Sequence, residues 1–211
     1  MQKIKNIIFD LGGVIVGLDP ERCIRVFREL NMPEIAELIN PYHPAAMLGE
    51  LEHGDITFHQ MCDKMRAIAQ REEVSDEQIA DAYNHFLTGI EPWKLTMLDD
   101  LRQKGYKLYA LSNNNPMSMQ TVRQMFTAQG KTMDDYFDGI YLSYQMRSLK
   151  PSEEIYRKMI EQSGMRPEES LFIDDSLTNV HVAQGLGFAV YQPQDGEDFR
   201  LLFDQLDWEL E

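Results

Sequence analysis

Three observations in the sequence predict an α/β fold, a doubly wound parallel sheet with an inserted helical domain. Short runs rich in branched and aromatic residues, such as Ile7 to Phe9 and Leu171 to Ile173, have the length and composition of buried strands. From Glu91 onward such runs alternate strictly with helical patterns, which implies right-handed crossovers and parallel pairing. Between Gly17 and Gly89 the pattern is helical instead, so the expected division is a core at 1–16 and 90–211 and a helical insert at 17–89.

Each element has a local reason. The first strand lies within Lys3 to Val16; its apolar run is followed by Asp10 and then by Gly12-Gly13, a pair that lets the backbone turn tightly against a ligand. A helix is expected from Asp19-Pro20, where Asp suits the cap and Pro the first turn. Cys23, Ile24, Phe27 and Leu30 share one face of it, and Asn31-Met32-Pro33 ends it. Further helices are expected at Ile35 to Ile39, Ala45 to Leu51, Thr57 to Ala69 and Ser75 to Leu87. Beyond Glu91 come a helix to Lys104, a strand at Tyr106 to Leu111, a helix from Pro116 to Ala128 and a strand at Gly139 to Ser143. A helix at Ser152 to Ser163, the strand at Leu171 to Ile173, a helix at Leu177 to Leu186 and a strand at Ala189 to Tyr191 follow. Leu201, Leu202 and Leu206 suggest a last helix packed on an edge.

Composition narrows the function classes. The 211 residues, 43% hydrophobic and 26% charged, suit a soluble globular protein with a full core. With 20 Lys and Arg against 35 Asp and Glu, the net charge of -15 argues against nucleic acid and acidic membranes as partners, so any phosphate must be held by local positive charge. The apolar run at Ile7 to Val16 is interrupted by Asp10 and has no signal-type cleavage site, and no stretch is long enough to span a bilayer. Cys23 and Cys62 match no metal spacing and make no disulfide scaffold; buried thiols in a reducing cytoplasm are expected.

The chemistry is expected at the strand ends. A carboxylate directly after so apolar a strand, as at Asp10, is paired, binds a cation or reacts; the bland alternative is a solvated turn. Asp174-Asp175 follows another apolar strand, so three carboxylates meet in one region of the sheet. They repel one another unless a cation joins them, and Mg²⁺ suits hard oxygen ligands. A helix cap at Asp175 with Asp174 in a solvated turn is the competing reading. Ser112-Asn113 ends a third strand, where a hydroxyl and backbone amides can hold a phosphoryl oxygen, although Ser112, Asn114 and Asn115 also suit capping and turns. The Lys150 ammonium could neutralise both a phosphate and a carboxylate. Asn179, a helical turn beyond Asp175, is a candidate to orient it. His43, His59, His85 and His181 are read as structural or exposed, whereas His53 is a candidate substrate contact. The methionines at 61, 65, 117, 119 and 125 follow helical spacings and are read as core fillers.

In order, Phe9-Asp10-Leu11-Gly12-Gly13-Val14, Tyr109-Ala110-Leu111-Ser112-Asn113, Leu149-Lys150-Pro151 and Phe172-Ile173-Asp174-Asp175-Ser176 resemble the four motifs of the haloacid dehalogenase (HAD) superfamily. The resemblance implies a HAD-like core with the helical insert as a cap, in which Leu51 to Ile56 resembles the specificity loop. It also implies a hydrolase of a small phosphate monoester, such as a sugar-1-phosphate. Asp10 would form an aspartyl-phosphate, Lys150 would stabilise charge, and Ser112, Asn113 and His53 would contact substrate. Mg²⁺ would be held by Asp10, Asp175 and the Gly12 carbonyl, with Asp174 acting directly or through water. Gly12 departs from the pattern, standing where most phosphatases of the family carry a second Asp that serves as general acid and base. A preference for esters with weakly basic leaving oxygens follows, with a cap residue such as His53 or bound water recovering part of the loss. Two other readings stay open: a metal-independent haloacid dehalogenase, and a non-catalytic module that binds a phosphometabolite or a protein.

Overall fold

The computed structural model describes residues 4–39 and 46–207; His43 lies outside them, and no side chain is described beyond Asp204. Five strands, β1 (Asn6–Phe9), β4 (Lys107–Ser112), β5 (Gly139–Leu142), β6 (Ser170–Ile173) and β7 (Ala189–Tyr191), form a sheet in the order β5-β4-β1-β6-β7. All four pairings are parallel. The chain winds outward from β1 first through β4 and β5, then through β6 and β7, so the winding reverses at β1. That reversal is where open α/β sheets form a crevice beyond their carboxyl ends.

Alternation along β1 sends side chains to two cores. Ile7 and Phe9 join Leu108, Ala110 and Ile173 on one face, whereas Ile8 joins Leu111, Phe172 and Tyr156 on the other. The first face is covered by α6 (Pro92–Gln103), α7 (Pro116–Met125), the short α8 (Met133–Tyr136) and Phe203 of α12 (Leu201–Asp207). The second is covered by α9 (Ser143–Met146), α10 (Glu153–Ser163) and α11 (Leu177–Gly185).

Among the described residues five helices stand between β1 and α6: α1 (Pro20–Glu29), α2 (Pro33–Leu38), α3 (Ala46–His53), α4 (Phe58–Ala69) and α5 (Asp76–Asn84). They enclose a core of their own, in which Cys23, Phe27, Ile35, Cys62, Met65 and Ile79 have no exposed surface. The expected Asp19 cap is present, its carboxylate accepting from the Glu21 amide, and Thr57 and Ser75 form capping boxes with Gln60 and Gln78. The helix expected to reach Leu87 stops at Asn84, because Leu87–Gly89 is an extended strand, β3, paired antiparallel with β2 (Gly17–Leu18). This two-stranded ribbon, which periodicity did not reveal, joins the chain entering the helical segment to the chain leaving it. The helix expected over Pro116 to Ala128 changes to a 3-10 turn at Phe126–Gln129. Among the described residues no helix is long and apolar enough to cross a membrane.

Hydrogen bonds tie the helical segment to α7 and to α9 beside the sheet. Asn84 at the end of α5 accepts from the Ser118 hydroxyl at 3.1 Å and donates to that of Thr121 at 3.1 Å. At the end of α3, Ser143 Oγ donates to the Glu52 carbonyl at 2.6 Å, while Arg147 donates to the Gly54 carbonyl at 2.9 Å and to Asp55 at 2.7 Å. Gly54 fits here because a Cβ would come within 2.7 Å of the Tyr144 carbonyl oxygen.

Candidate active site

Strand ends and loops bring the polar residues together. Asp10 extends β1 by one residue, its amide donating to the Ile173 carbonyl at 2.8 Å, and Asp174 extends β6 in the same way toward Tyr191. Asp10 and Asp174 thus sit side by side on adjacent strands, with Asp175 next in the chain, and one oxygen of each lies within 4.8 Å of the others. Lys150 Nζ donates to Asp10 Oδ2 at 2.9 Å and to Asp174 Oδ2 at 2.6 Å. The Lys150 side chain is 1% exposed and Asp174 is wholly buried, so this pairing is sealed from solvent. The ammonium also stands 5.8 Å from the centre of the Phe172 ring, whose electron-rich π face attracts the cation.

The neighbours fix these groups. Asn113 clasps Lys150 at both ends, its Nδ2 donating to the Lys150 carbonyl at 2.9 Å and its Oδ1 accepting the Lys150 amide at 2.8 Å. Asn113 therefore positions the lysine with its side chain. Asn179 donates to both oxygens of Asp174, at 2.9 and 3.1 Å, and does not orient Asp175 as its spacing suggested. The cap of α11 is Ser176 rather than Asp175; Asp174 Oδ1 accepts the Ser176 amide at 2.9 Å, so neither aspartate occupies the competing role of cap and solvated turn.

Glycine answers two different needs at the first turn. Gly13 has φ +75, and a Cβ there would lie 2.3 Å from Asp175 Oδ2, so the acidic cluster closes only over a bare backbone. Gly12 has ordinary φ, and its added Cβ would meet only Leu18 Cδ1, at 3.2 Å.

The electrostatics follow from burial. Desolvation pushes the Asp10 carboxyl above its ordinary value; Lys150 opposes this, and Asp174 and Asp175 reinforce it. Asp175 is likewise raised, by burial and then by Asp174. Burial disfavours the Lys150 ammonium, but Asp10 and Asp174 outweigh it and hold the lysine above its usual range. One monocation thus faces three carboxylates, and Asp10 and Asp175 both hold their protons more tightly than usual. The hard oxygen donors of Asp10, Asp174 and Asp175 fit a Mg²⁺, which would restore the charge balance.

Above the carboxylates lies a cavity of about 280 Å³ lined by Asp10, Gly12, Asp175, Ser112 and Asn113, with Asn114, Asn115 and Val122 beside them. The helical segment and its ribbon add Leu18, Glu52, Tyr83, Phe86 and Leu87. His53 is not among the lining residues: its Nδ1 lies 2.9 Å from Asp55, and the preceding residue, Glu52, lines the cavity instead. Adjacent helical residues point about 100° apart, so one position decides which of them reaches the cavity. Burial pushes the Glu52 carboxyl up to about 7, with Lys150 opposing. Within the stretch of Leu51 to Ile56 that resembles the specificity loop, sequence reading singled out His53 and passed over Glu52, and it missed Tyr83 altogether; the adjacent apolar face of each helix was visible, but not which part of it turns toward the strand ends.

Comparison with known proteins matches the haloacid dehalogenase-like hydrolase family over residues 4–187. D-ribitol-5-phosphate phosphatase from Bacteroides thetaiotaomicron is 36% identical over 198 residues, covering 93% of this chain and 95% of that protein. The crystal structure of a HAD family enzyme from the same organism, in complex with magnesium and inorganic phosphate, superposes with a TM-score of 0.89 at 40% identity, covering 95% of this chain and 99% of that one. A HAD-like family hydrolase from Porphyromonas gingivalis gives a TM-score of 0.88 at 37% identity, covering 97% of this chain and 98% of its own. Four motifs in family order, three of them lining one cavity and the fourth supplying Lys150 to its aspartates, and a family match spanning most of the sequence place this chain among the haloacid dehalogenase-like hydrolases.

Proposed function

We propose that the protein is a Mg²⁺-dependent phosphatase of a small phosphorylated sugar or polyol, working through an aspartyl-phosphate on Asp10. The observation that carries this reading is the acidic triad of Asp10, Asp174 and Asp175 around a single buried lysine, since that excess of negative charge calls for a divalent cation. The phosphatase relative and the magnesium and phosphate complex of a similar enzyme support it. Mg²⁺, held by Asp10, Asp175 and the Gly12 carbonyl, with Asp174 direct or through water, would draw negative charge from the transferring phosphoryl group.

The chain's own residues do the rest. One Asp10 oxygen accepts the Leu11 amide at 2.6 Å and the other accepts Lys150, so the carboxylate has a fixed aim as it attacks phosphorus. Lys150 neutralises charge on the nucleophile and the phosphoryl oxygens, and Ser112 with Asn113 contacts the phosphoryl group at the end of β4. Residues 17–89 form the cap over the core of 1–16 and 90–211, a division supported by the separate helical core and by the ribbon at its root. The cavity suits a small ester, and its polar lining, with Asn114 and Glu52 among it, supplies partners for substrate hydroxyl groups. A metal-independent dehalogenase would leave the three carboxylates with Lys150 as their one countercharge among the described cavity groups.

The test is a panel of sugar-1-phosphates, pentitol-5-phosphates and p-nitrophenyl phosphate, assayed with Mg²⁺ and with EDTA. Hydrolysis that needs Mg²⁺ and is lost in Asp10→Asn is expected. Halide release from 2-haloacids in EDTA, or no turnover of any ester, would overturn the reading.

A further inference from the structure

We propose that Glu52 carries out the two proton transfers for which position 12 has no side chain, protonating the leaving oxygen when Asp10 attacks and later taking a proton from the hydrolytic water. This inference rests on the phosphatase reading and assigns the proton a carrier from the helical segment.

Elimination among the described cavity residues leads to it. The titratable groups lining the cavity are Asp10, Asp175, Glu52 and Tyr83. Asp10 is engaged as the nucleophile, and Asp175 belongs to the acidic triad. Burial holds the Tyr83 phenol well above 10, too weak an acid to share a proton near neutrality. Glu52 remains, and in its surroundings it is half protonated at about 7, where one group can both give and take a proton.

Placement agrees. Displacement at phosphorus puts the leaving oxygen on the side away from the attacking Asp10, and the helical segment and its ribbon add walls to the cavity, Glu52 among them, beyond those of the strand ends. Glu52 is held there by its backbone. Ser143 Oγ binds the Glu52 carbonyl at 2.6 Å and also accepts the Asn114 amide at 3.0 Å, so one hydroxyl at the end of β5 joins Glu52 to the loop after β4. Two and three residues on, Gly54 and Asp55 are clamped by Arg147. A side chain carried on such a support keeps its position from one turnover to the next.

The protons balance. In the first step the Asp10 oxygen bonds to phosphorus, the bond from phosphorus to the ester oxygen breaks, and the Glu52 carboxylic acid gives its proton to that oxygen, leaving the free alcohol and a Glu52 carboxylate. In the second step water attacks phosphorus, Glu52 takes one of its protons, and the bond to Asp10 breaks, releasing inorganic phosphate and restoring both side chains.

The experiment measures kcat/KM with Mg²⁺ for phosphate monoesters of graded leaving-group pKa, from p-nitrophenyl phosphate to a pentitol-5-phosphate, in the wild type, Glu52→Gln and Glu52→Asp. Because kcat/KM stops at the first irreversible step, it reports the leaving-group proton alone. A shallow dependence is expected for the wild type, in place of the preference for weakly basic leaving oxygens that Gly12 alone would impose, and a steep one for Glu52→Gln, whose loss is about 10² to 10⁴ on the alkyl ester and far smaller on the aryl ester. Glu52→Asp should fall between them. Calorimetry with inorganic phosphate and Mg²⁺ checks that Glu52→Gln keeps its site. An equal loss on every ester, or none, in an otherwise active series would overturn the role of Glu52 alone. A wild type that hydrolyses none of the esters, or an Asp10→Asn variant that still does, would overturn the phosphatase reading and this inference with it.

Discussion

Alanine at Gly13 should damage both stability and metal binding, whereas alanine at its neighbour Gly12 should leave the fold intact. Gly13 has φ +75, a conformation that costs an L-residue about 1–2 kcal/mol. Its new Cβ would also stand 2.3 Å from Asp175 Oδ2 and 2.7 Å from Asp175 Cγ, so the carboxylate must move. At about 2–4 °C per kcal/mol for a chain of this size, the backbone cost alone lowers Tm by roughly 2–8 °C. Displacing Asp175 should weaken Mg²⁺ binding by about tenfold or more. At Gly12 the added methyl meets only the end of Leu18, a side chain 42% exposed and free to turn, so the change in stability stays within about 1 kcal/mol. Thermal unfolding and Mg²⁺ calorimetry on the two variants decide the matter. A Gly13→Ala protein as stable and as tightly metal-bound as the wild type, or a Gly12→Ala protein with the larger loss of stability, would refute the assignment of Gly13 as the seat of Asp175.

Three other outcomes are expected. Lys150→Met removes the sealed cation from between Asp10 and Asp174; stranding buried charge costs about 3–5 kcal/mol, so Tm should fall by roughly 6–20 °C, and an unchanged Tm would mean the carboxylates are compensated elsewhere. Asp175→Ala should weaken Mg²⁺ binding strongly in calorimetry, and equal affinity would put the metal elsewhere. Glu52, raised by burial from 4.5 to about 7, keeps a proton in the native state that the unfolded chain releases at lower pH. Its contribution is therefore full below about 4.5 and is lost as pH rises through 7, about 3 kcal/mol at most. Denaturant titrations at pH 5 and pH 8 should show a smaller loss of stability in Glu52→Gln than in the wild type, and identical losses would place Glu52 in water.

The strand-end residues were legible in the sequence because topology does the gathering. Once β1, β4 and β6 are parallel neighbours, Asp10, Ser112 and Asp174 emerge at one edge whatever the details of packing. Lys150 reaches them from a loop, and only the family motif pointed to it. The hydrogen bonds were less accessible. Asn179 stands one turn from Asp175 in sequence yet binds Asp174, because Asp174 is the residue that extends β6 into the buried side of the sheet. Glu52 and Tyr83 depended on how separate helices dock, a long-range fact that no local periodicity encodes. His53 and Glu52 carry similar local signals, and the clamp of Ser143 and Arg147 selects Glu52 for the cavity. The ribbon of Gly17–Leu18 and Leu87–Gly89 was too short to leave a strand pattern, and its antiparallel pairing joins positions about 70 residues apart.

The most direct test of the account is to find where the phosphoryl group goes. Protein mixed with Mg²⁺ and a hydrolysed ester from the panel, then quenched in acid during steady-state turnover and mapped by mass spectrometry, should carry an acid-stable phosphoryl group on the peptide containing Asp10. Asp10→Asn should carry none. Beryllium fluoride should bind the wild type in the presence of Mg²⁺ and abolish turnover. Phosphoryl transfer to a different side chain, or turnover that persists in Asp10→Asn, would contradict the claim that Asp10 is the nucleophile of this cavity.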